Sequence, residues 1–253
     1  MSEVLPLFKS HYSIGRSILT LENDEGKYPN YPDSIIDICK DNGIKKFTLV
    51  DDNMNGFLQA YSSSKDSKLD LCFGIRIGIT DDCEEKSEDS MSKTCKYVIF
   101  AKNSDGYKSL IEIYSYAAKV GFYYVPRLDF KTLKKFWKNK DLLLCIPFYD
   151  SFIFRNSLEY SACVPELDFT SPTFFLENNN LPFDNILRKR VLDFCKDNYQ
   201  TQESKSIYYK NKDDFKSYLT FRCINNRTTL NKPEFRHMSS DEFSFESWKK
   251  VGL

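Results

Sequence analysis

Histidine is almost missing from this chain: His11 and His237 are the only two in 253 residues. Sites that rely on imidazole as a metal ligand or a general base have little to draw on. Net charge is missing too, since Lys plus Arg equals Asp plus Glu at 36 each, so no global field favours nucleic acid or an anionic membrane. No run of about 18 apolar residues supplies a membrane span, and the N-terminus lacks the basic-then-apolar order of a signal peptide. The eight cysteines contain no C-x-x-C pair, which argues against zinc and against a disulfide scaffold. Cys39, Cys72 and Cys145 sit in apolar segments and read as buried free thiols, so a reducing, cytoplasmic setting is expected. Glycine and alanine are sparse, and no Gly-rich turn marks a phosphate cradle. Abundant Lys, Asn, Ser, Ile, Phe and Tyr fit an AT-rich genome and carry no mechanism.

What is present is an alternation of buried-type strands and amphipathic helices. Seven apolar, β-favouring runs recur: Val4 to Phe8, Phe47 to Val50, Leu69 to Ile77, Tyr97 to Ala101, Leu142 to Ile146, Thr173 to Leu176 and Ser206 to Tyr209. Most are continuous rather than alternating, as strands covered on both faces require. Ser34 with Asp37 makes a helix start before Ile35, Ile38 and Cys39, and Gly43 supplies its stop. Leu110, Ile113, Tyr114 and Ala117 form one helical stripe ended by Gly121. Leu133, Phe136 and Trp137 form another, and Ile186, Val191, Leu192 and Cys195 a third. This order predicts an α/β fold with a parallel sheet or barrel. A single domain over 1–253 is expected, without repeats or linkers. Segments 22–32 and 81–92 read as surface loops, the second an acidic, Ser-rich insertion between the third and fourth strands. Residues 225–253 read as a strand-poor C-terminal extension.

Five stretches stand in a telling order: Ser10-His-Tyr-Ser13, Val50-Asp-Asp-Asn-Met-Asn-Gly56, Phe100-Ala-Lys-Asn-Ser-Asp-Gly-Tyr107, Gly121-Phe-Tyr-Tyr-Val-Pro-Arg-Leu-Asp129 and Ser239-Ser-Asp-Glu-Phe243. Together they resemble the PHP (polymerase and histidinol phosphatase) domain that opens the alpha subunit of bacterial DNA polymerase III. The resemblance implies an irregular seven-stranded (β/α) barrel, matching the independent count of seven strands. It also implies a site where His, Asp and Glu hold two or three metals. At those positions this chain departs from the pattern. The two histidines of the first motif are replaced by Leu7 and Lys9, and its Asp by Arg16. The second motif reads Asp51-Asp52-Asn53, shorter by one and without its His. The Glu after a glycine is Arg76, the His that opens a later strand is Lys96, and the closing Asp-x-His is Ser206-Ile-Tyr208. A further ligand position falls near Pro147 to Asp150.

Lys and Arg have no lone pair to give a metal at neutral pH. With Lys9, Arg16, Arg76 and Lys96 at ligand positions, only Asp51 and Asp52 remain as ligands, too few for a two-metal cluster. No metal, no cofactor and no catalytic residue is expected, and the pocket of Leu7, Lys9, Arg16, Asp51, Asp52, Arg76, Lys96, Ser206 and Tyr208 is read as vestigial. Its cations either pair with Asp51, Asp52 and nearby carboxylates, the preferred reading, or form a site for a phosphate or nucleotide. Other constellations are weaker. His11 beside Ser10 and Ser13 lacks an orienting acid. Asp168 and Glu177 form a possible carboxylate pair. Tyr123, Tyr124 and Arg127 suit either packing or single-stranded nucleic acid, and packing is preferred.

Three functions follow from the resemblance. The first is a catalytically inactive, metal-free PHP-like module that works by protein binding in DNA replication. Its expected partner is a replicase subunit or a proofreading exonuclease; direct DNA binding stays open and no membrane is involved. The second is a PHP-type metal-dependent phosphoesterase or 3'-5' proofreading exonuclease. The third is a phosphate or nucleotide sensor using the cationic pocket. Brevity and composition suit a phage or mobile-element origin.

Overall fold

The computed structural model describes residues 4–22, 31–231 and 240–252. Strands and helices alternate in it: β1 (Leu5–Phe8), α1 (Ile35–Asp41), β2 (Lys46–Asp51), α2 (Phe57–Asp66), β3 (Asp70–Thr80), α3 (Glu88–Ser92), β4 (Cys95–Ala101), α4 (Ser104–Lys119), β5 (Arg127–Asp129), α5 (Phe130–Phe136), β6 (Leu142–Ile146), α6 (Phe152–Leu158), β7 (Thr173–Leu176), α7 (Asp184–Cys195), β8 (Gln200–Ile207), α8 (Phe215–Asn226) and α9 (Phe245–Gly252). The strands make one sheet in the order β2-β1-β8-β7-β6-β4-β3-β5, and β2 also pairs with β3. The pairings therefore run in a ring of seven strands, with β5 attached to the end of β3 at Gly78 to Thr80. This is the expected α/β barrel of PHP type. Its irregularity lies in β4, which runs antiparallel to both β3 and β6, whereas β1–β2, β1–β8 and β6–β7 are parallel.

The differences from expectation have local causes. The last strand starts at Gln200, not near Ser206. Its first half, Gln-Thr-Gln-Glu-Ser, has no apolar residue to signal a strand, and the pairing to β1 covers only Ser204 to Ile207. β5 is three residues long and too short to show periodicity. Segment 81–92 is not wholly loop. Ser87 accepts a hydrogen bond from the Ser90 N–H and caps the short α3. On α7 the buried stripe is Leu187, Val191 and Cys195, while Ile186 and Leu192 face solvent. Segment 22–32 lies outside the described residues from 23 to 30, as do His237 and 232–239 of the C-terminal extension. The rest of that extension includes α9.

Two compact units are distinguishable. One comprises residues 1–73, 177–182 and 203–253. In it α1 starts as expected, with the Ser34 hydroxyl accepting from the Asp37 N–H at 3.2 Å and Gly43 at φ 68° after its end. α9 closes on β1: Phe245 stacks on Phe8, and the Trp248 indole N–H donates to the Val4 carbonyl at 2.8 Å. The other unit comprises 74–176 and 183–202. Asn103 caps α4 by accepting from the Gly106 N–H at 2.9 Å and donates to Asp141 at 2.9 Å. A Cβ on Gly106 would come within 2.1 Å of the Asp141 carbonyl oxygen, so the Asn-Ser-Asp-Gly order is a packing requirement. The core of this unit includes Ile75, Tyr97, Ile99, Leu110, Ile113, Leu133, Leu144 and Phe174.

Candidate functional site

The first unit gathers seven of the positions singled out from the sequence, at the C-terminal ends of β1, β2 and β8 and in the turn after β1. Leu7 is buried in β1, in register with Thr48 of β2 and Ser206 of β8. Lys9 follows β1 and is itself buried; its N–H donates to the Ile207 carbonyl at 3.2 Å. Its ammonium reaches Asp52 Oδ1 at 3.0 Å. Asp51 ends β2 with no exposed surface. Three donors close on its carboxylate: the Ser10 N–H at 2.9 Å, the Ser10 hydroxyl at 2.6 Å and the Ser13 hydroxyl at 2.7 Å. Burial pushes the Asp51 carboxyl up, against the pull of the Lys9 charge and these hydrogen bonds.

The Ser10-His-Tyr-Ser13 turn thereby acquires a physical role. Ser13 also accepts from the Asp52 N–H at 2.9 Å. Tyr12 donates its hydroxyl to Gln59 at 2.9 Å, and its carbonyl accepts from Asn53 at 2.8 Å. A Cβ on Gly56 would lie 2.7 Å from the Tyr12 ring. The turn after β1 and the turn after β2 are thus one hydrogen-bonded assembly around Asp51. The His11 N–H donates to the Leu19 carbonyl at 2.7 Å, and its ring packs on Tyr12.

The closing positions are structural in the same way. Ser206 donates its N–H and hydroxyl to Glu177 at 3.0 and 2.8 Å, and Asn179 donates to the same carboxylate at 3.0 Å. Burial pushes the Glu177 carboxyl up. Tyr208 is buried between the rings of Tyr218 and Phe243. Arg16 is half-buried, its N–H donating to the Ser13 carbonyl at 2.9 Å.

Arg76 and Lys96 belong to the second unit. Arg76, mid-way along β3, places its guanidinium on Asp150 Oδ2 at 2.5 Å and on the Tyr149 carbonyl at 3.3 Å. Asp150, at φ 60°, also accepts the Lys96 N–H on its carbonyl at 2.8 Å. Segment 147–150 is therefore occupied by the partner of a cation. The sequence marked that segment only through the resemblance.

The weaker constellations resolve within each unit. Arg127 has no exposed surface and donates to the carbonyls of Gly121 and Glu85 and to the Ser90 hydroxyl. Its charge is spent inside the fold, as the packing reading expected, although Tyr124 beside it is exposed. Asp168 pairs with Lys134 at 2.9 Å near the surface, and Glu177 is held by Ser206 and Asn179. One contact had no signal in the sequence: the Cys163 thiol donates to the Lys93 carbonyl at 3.0 Å, 70 positions away. Among the described residues no group of three or more His, Cys, Asp or Glu side chains is arranged to hold a metal ion, and no helix is long and apolar enough to cross a membrane.

The strand order and pairings are those of a PHP-type (β/α) barrel. The family model for the PHP domain matches residues 29–153, and the chain carries a PHP domain. It is related to the DNA polymerase III alpha subunits. With the alpha subunit of Aquifex aeolicus it shares 22% identity over 254 residues, covering 87% of this chain and 22% of that protein. With that of Borreliella burgdorferi it shares 22% over 214 residues, 79% of this chain and 18% of the relative. The alpha subunit of Helicobacter pylori strain 26695 is 33% identical over 97 residues, 38% of this chain and 8% of the relative. The chain thus spans about a fifth of the length of the first of these relatives. A solved structure from Bifidobacterium adolescentis, a proposed metal-dependent phosphoesterase, is similar over 47% of this chain and 36% of its own at 13% identity. Its TM-score of 0.25 is too low to carry an argument.

Proposed function

We propose that this chain is a metal-free, catalytically inactive PHP module that works by binding a replication protein, as a single domain. The carrying observation is the state of the carboxylates where the family holds its metals. Asp51 has both oxygens engaged by Ser10 and Ser13, and Asp52 is engaged by Lys9. A metal ligand needs a free, electron-rich lone pair, and ligation by Asp51 would break hydrogen bonds in a buried setting. Lys9, Arg16, Arg76 and Lys96 donate protons rather than electron pairs. The donor set does not fit a divalent metal, and no catalytic step is derived through one. In this reading Leu7, Lys9, Arg16, Asp51, Asp52, Ser206 and Tyr208 are a framework of the first unit, and Arg76 and Lys96 one of the second.

The relation to replicase alpha subunits supports a partner in the replication machinery, a replicase subunit or a proofreading exonuclease. The test has two arms. Purified protein is dialysed against manganese and zinc, and bound metal is counted by elemental analysis; less than one metal per chain is expected. It is then incubated with single-stranded DNA, primed DNA and a phosphomonoester in manganese. Cleavage that survives stringent purification and is lost in Asp52→Asn would overturn the reading and restore a hydrolase. Direct binding to purified replicase subunits is measured beside it, and no binding to any of them would remove the proposed role.

A further inference from the structure

Ser206 turns its hydroxyl to Glu177, so Lys205, one position earlier in β8, points to the opposite face of the strand and away from the candidate site. Lys205 is 5% exposed. Its ammonium donates to the Asn178 carbonyl at 3.1 Å, and the carboxylate that pairs with it, Glu242, stands at 3.5 Å. That carboxylate is shared, since its other oxygen takes the Lys212 ammonium at 2.5 Å. An ammonium carries three N–H donors and a full charge, and a buried one needs close compensation. Here one donor meets a carbonyl and another a shared carboxylate at the limit of hydrogen bonding. Burial pulls Lys205 down in spite of the Glu242 charge.

A cavity of about 330 Å³ opens beside this lysine, within the first unit. Lys205 and both of its partners, Asn178 and Glu242, line it, together with Asn180, Glu203 and Lys250. The size is at the small end of ligand sites. The Asn180 N–H donates to the Asn178 side-chain oxygen at 3.1 Å, which leaves the Asn178 amide nitrogen as a donor. The lining carries both signs of charge, Lys205 and Lys250 against Glu203 and Glu242.

We propose that this cavity binds a free α-amino acid, whose carboxylate is held by Lys205 and the Asn178 amide and whose ammonium is turned towards Glu203 and Glu242. The ligand carboxylate completes the compensation of the buried Lys205 charge. A phosphate dianion would bring two charges to a lining that already holds two carboxylates, and a simple amine would bring a further cation to Lys205. A ligand with both signs meets neither cost. Because Lys205 faces away from the candidate site, the inference depends neither on the metal question nor on the docking role.

The full chain is titrated with each common L-amino acid, and with acetate, methylamine and inorganic phosphate as controls; thermal unfolding and isothermal titration calorimetry read binding. At least one amino acid should raise the melting temperature in a saturable way, and the three controls should not. Converting that amino acid to its amide, or replacing its amino group by hydrogen, should weaken binding about tenfold or more, the worth of one charge-assisted hydrogen bond. Lys205→Met should weaken it about as much, and because Glu242 keeps Lys212 the variant should still fold, which circular dichroism checks. Unchanged binding by folded Lys205→Met overturns the proposal. So does the absence of saturable binding by any amino acid, equal binding by acetate or phosphate, or an amide that binds as tightly as its acid, whether or not the variant folds.

Discussion

Removing the Lys9 ammonium is the most direct perturbation of the candidate site. Lys9→Met keeps the length of the stem but leaves the Asp52 carboxylate without its partner at 3.0 Å and deprives Asp51 of the main charge that opposes its burial. Breaking a buried ion pair from one side costs about 3–5 kcal/mol. The Lys9 side chain is 5% exposed and that of Asp52 26%, so water screens the pair on one side and the expected loss is about 2–4 kcal/mol. Asp52→Asn alone should cost about 1–2 kcal/mol, because the amide oxygen still accepts from Lys9 while the charge is gone. The double variant should recover part of the sum, with a coupling of about 1–2 kcal/mol. Urea denaturation followed by circular dichroism measures each, with the slope checked for constancy across the four proteins. Strictly additive losses would mean that the two charges do not sense each other, and the account of this site as an internally neutralised one would fail.

Two further outcomes rest on other groups. Arg127→Met should cost about 2–3 kcal/mol, since the change leaves the Ser90 hydroxyl, the buried Gly121 carbonyl and the partly buried Glu85 carbonyl short of a donor. The same variant, checked for folding, should bind single-stranded DNA no differently from native protein, and weakened DNA binding would reopen the nucleic-acid reading of this segment. Glu177 titrates above its ordinary value in the folded chain because it is buried. Between the unfolded value, about 4.3, and the raised folded one, the native state holds a proton that the unfolded state releases. The Glu177 contribution is therefore fully present below the unfolded value and is lost as pH rises through the folded one. Native stability relative to Glu177→Gln should rise as pH falls from neutral towards that window, and a difference flat with pH would contradict the assignment.

The strands that cross the core announced themselves as apolar runs, and β2, β4, β6 and β7 lie where such runs fall. β8 did not, because its first half is polar; its pairing to β1 covers Ser204 to Ile207 and carries no side-chain signal. Capping residues were legible at Ser34 but not at Ser87, where the helix lasts five residues and no periodicity can build up. The candidate site divided in the same way. Charge inversion at Lys9 and Arg76 could be read against the family pattern, because it depends only on residue type at a position. The choice of partner could not. Asp150 is paired with Arg76 through a turn at positive φ, a conformation that an aspartate tolerates but does not advertise. The Cys163–Lys93 contact was equally silent, since it depends on how the chain after α6 folds back.

Positive charge is what the family's metals would bring to the strand ends, and in the proposed reading this chain supplies it from its own side chains. In each unit one cation from a ligand position ends on one carboxylate, Lys9 on Asp52 and Arg76 on Asp150. A carboxylate left behind by a lost metal would be buried and uncompensated, at a cost of several kcal/mol, so ligand loss and cation gain are coupled by stability. The same logic explains why Asp51 persists. Its oxygens collect three donors from the Ser10-His-Tyr-Ser13 turn, and replacing it would release the turns after β1 and β2 together. The sequence motif and the buried acid therefore maintain each other.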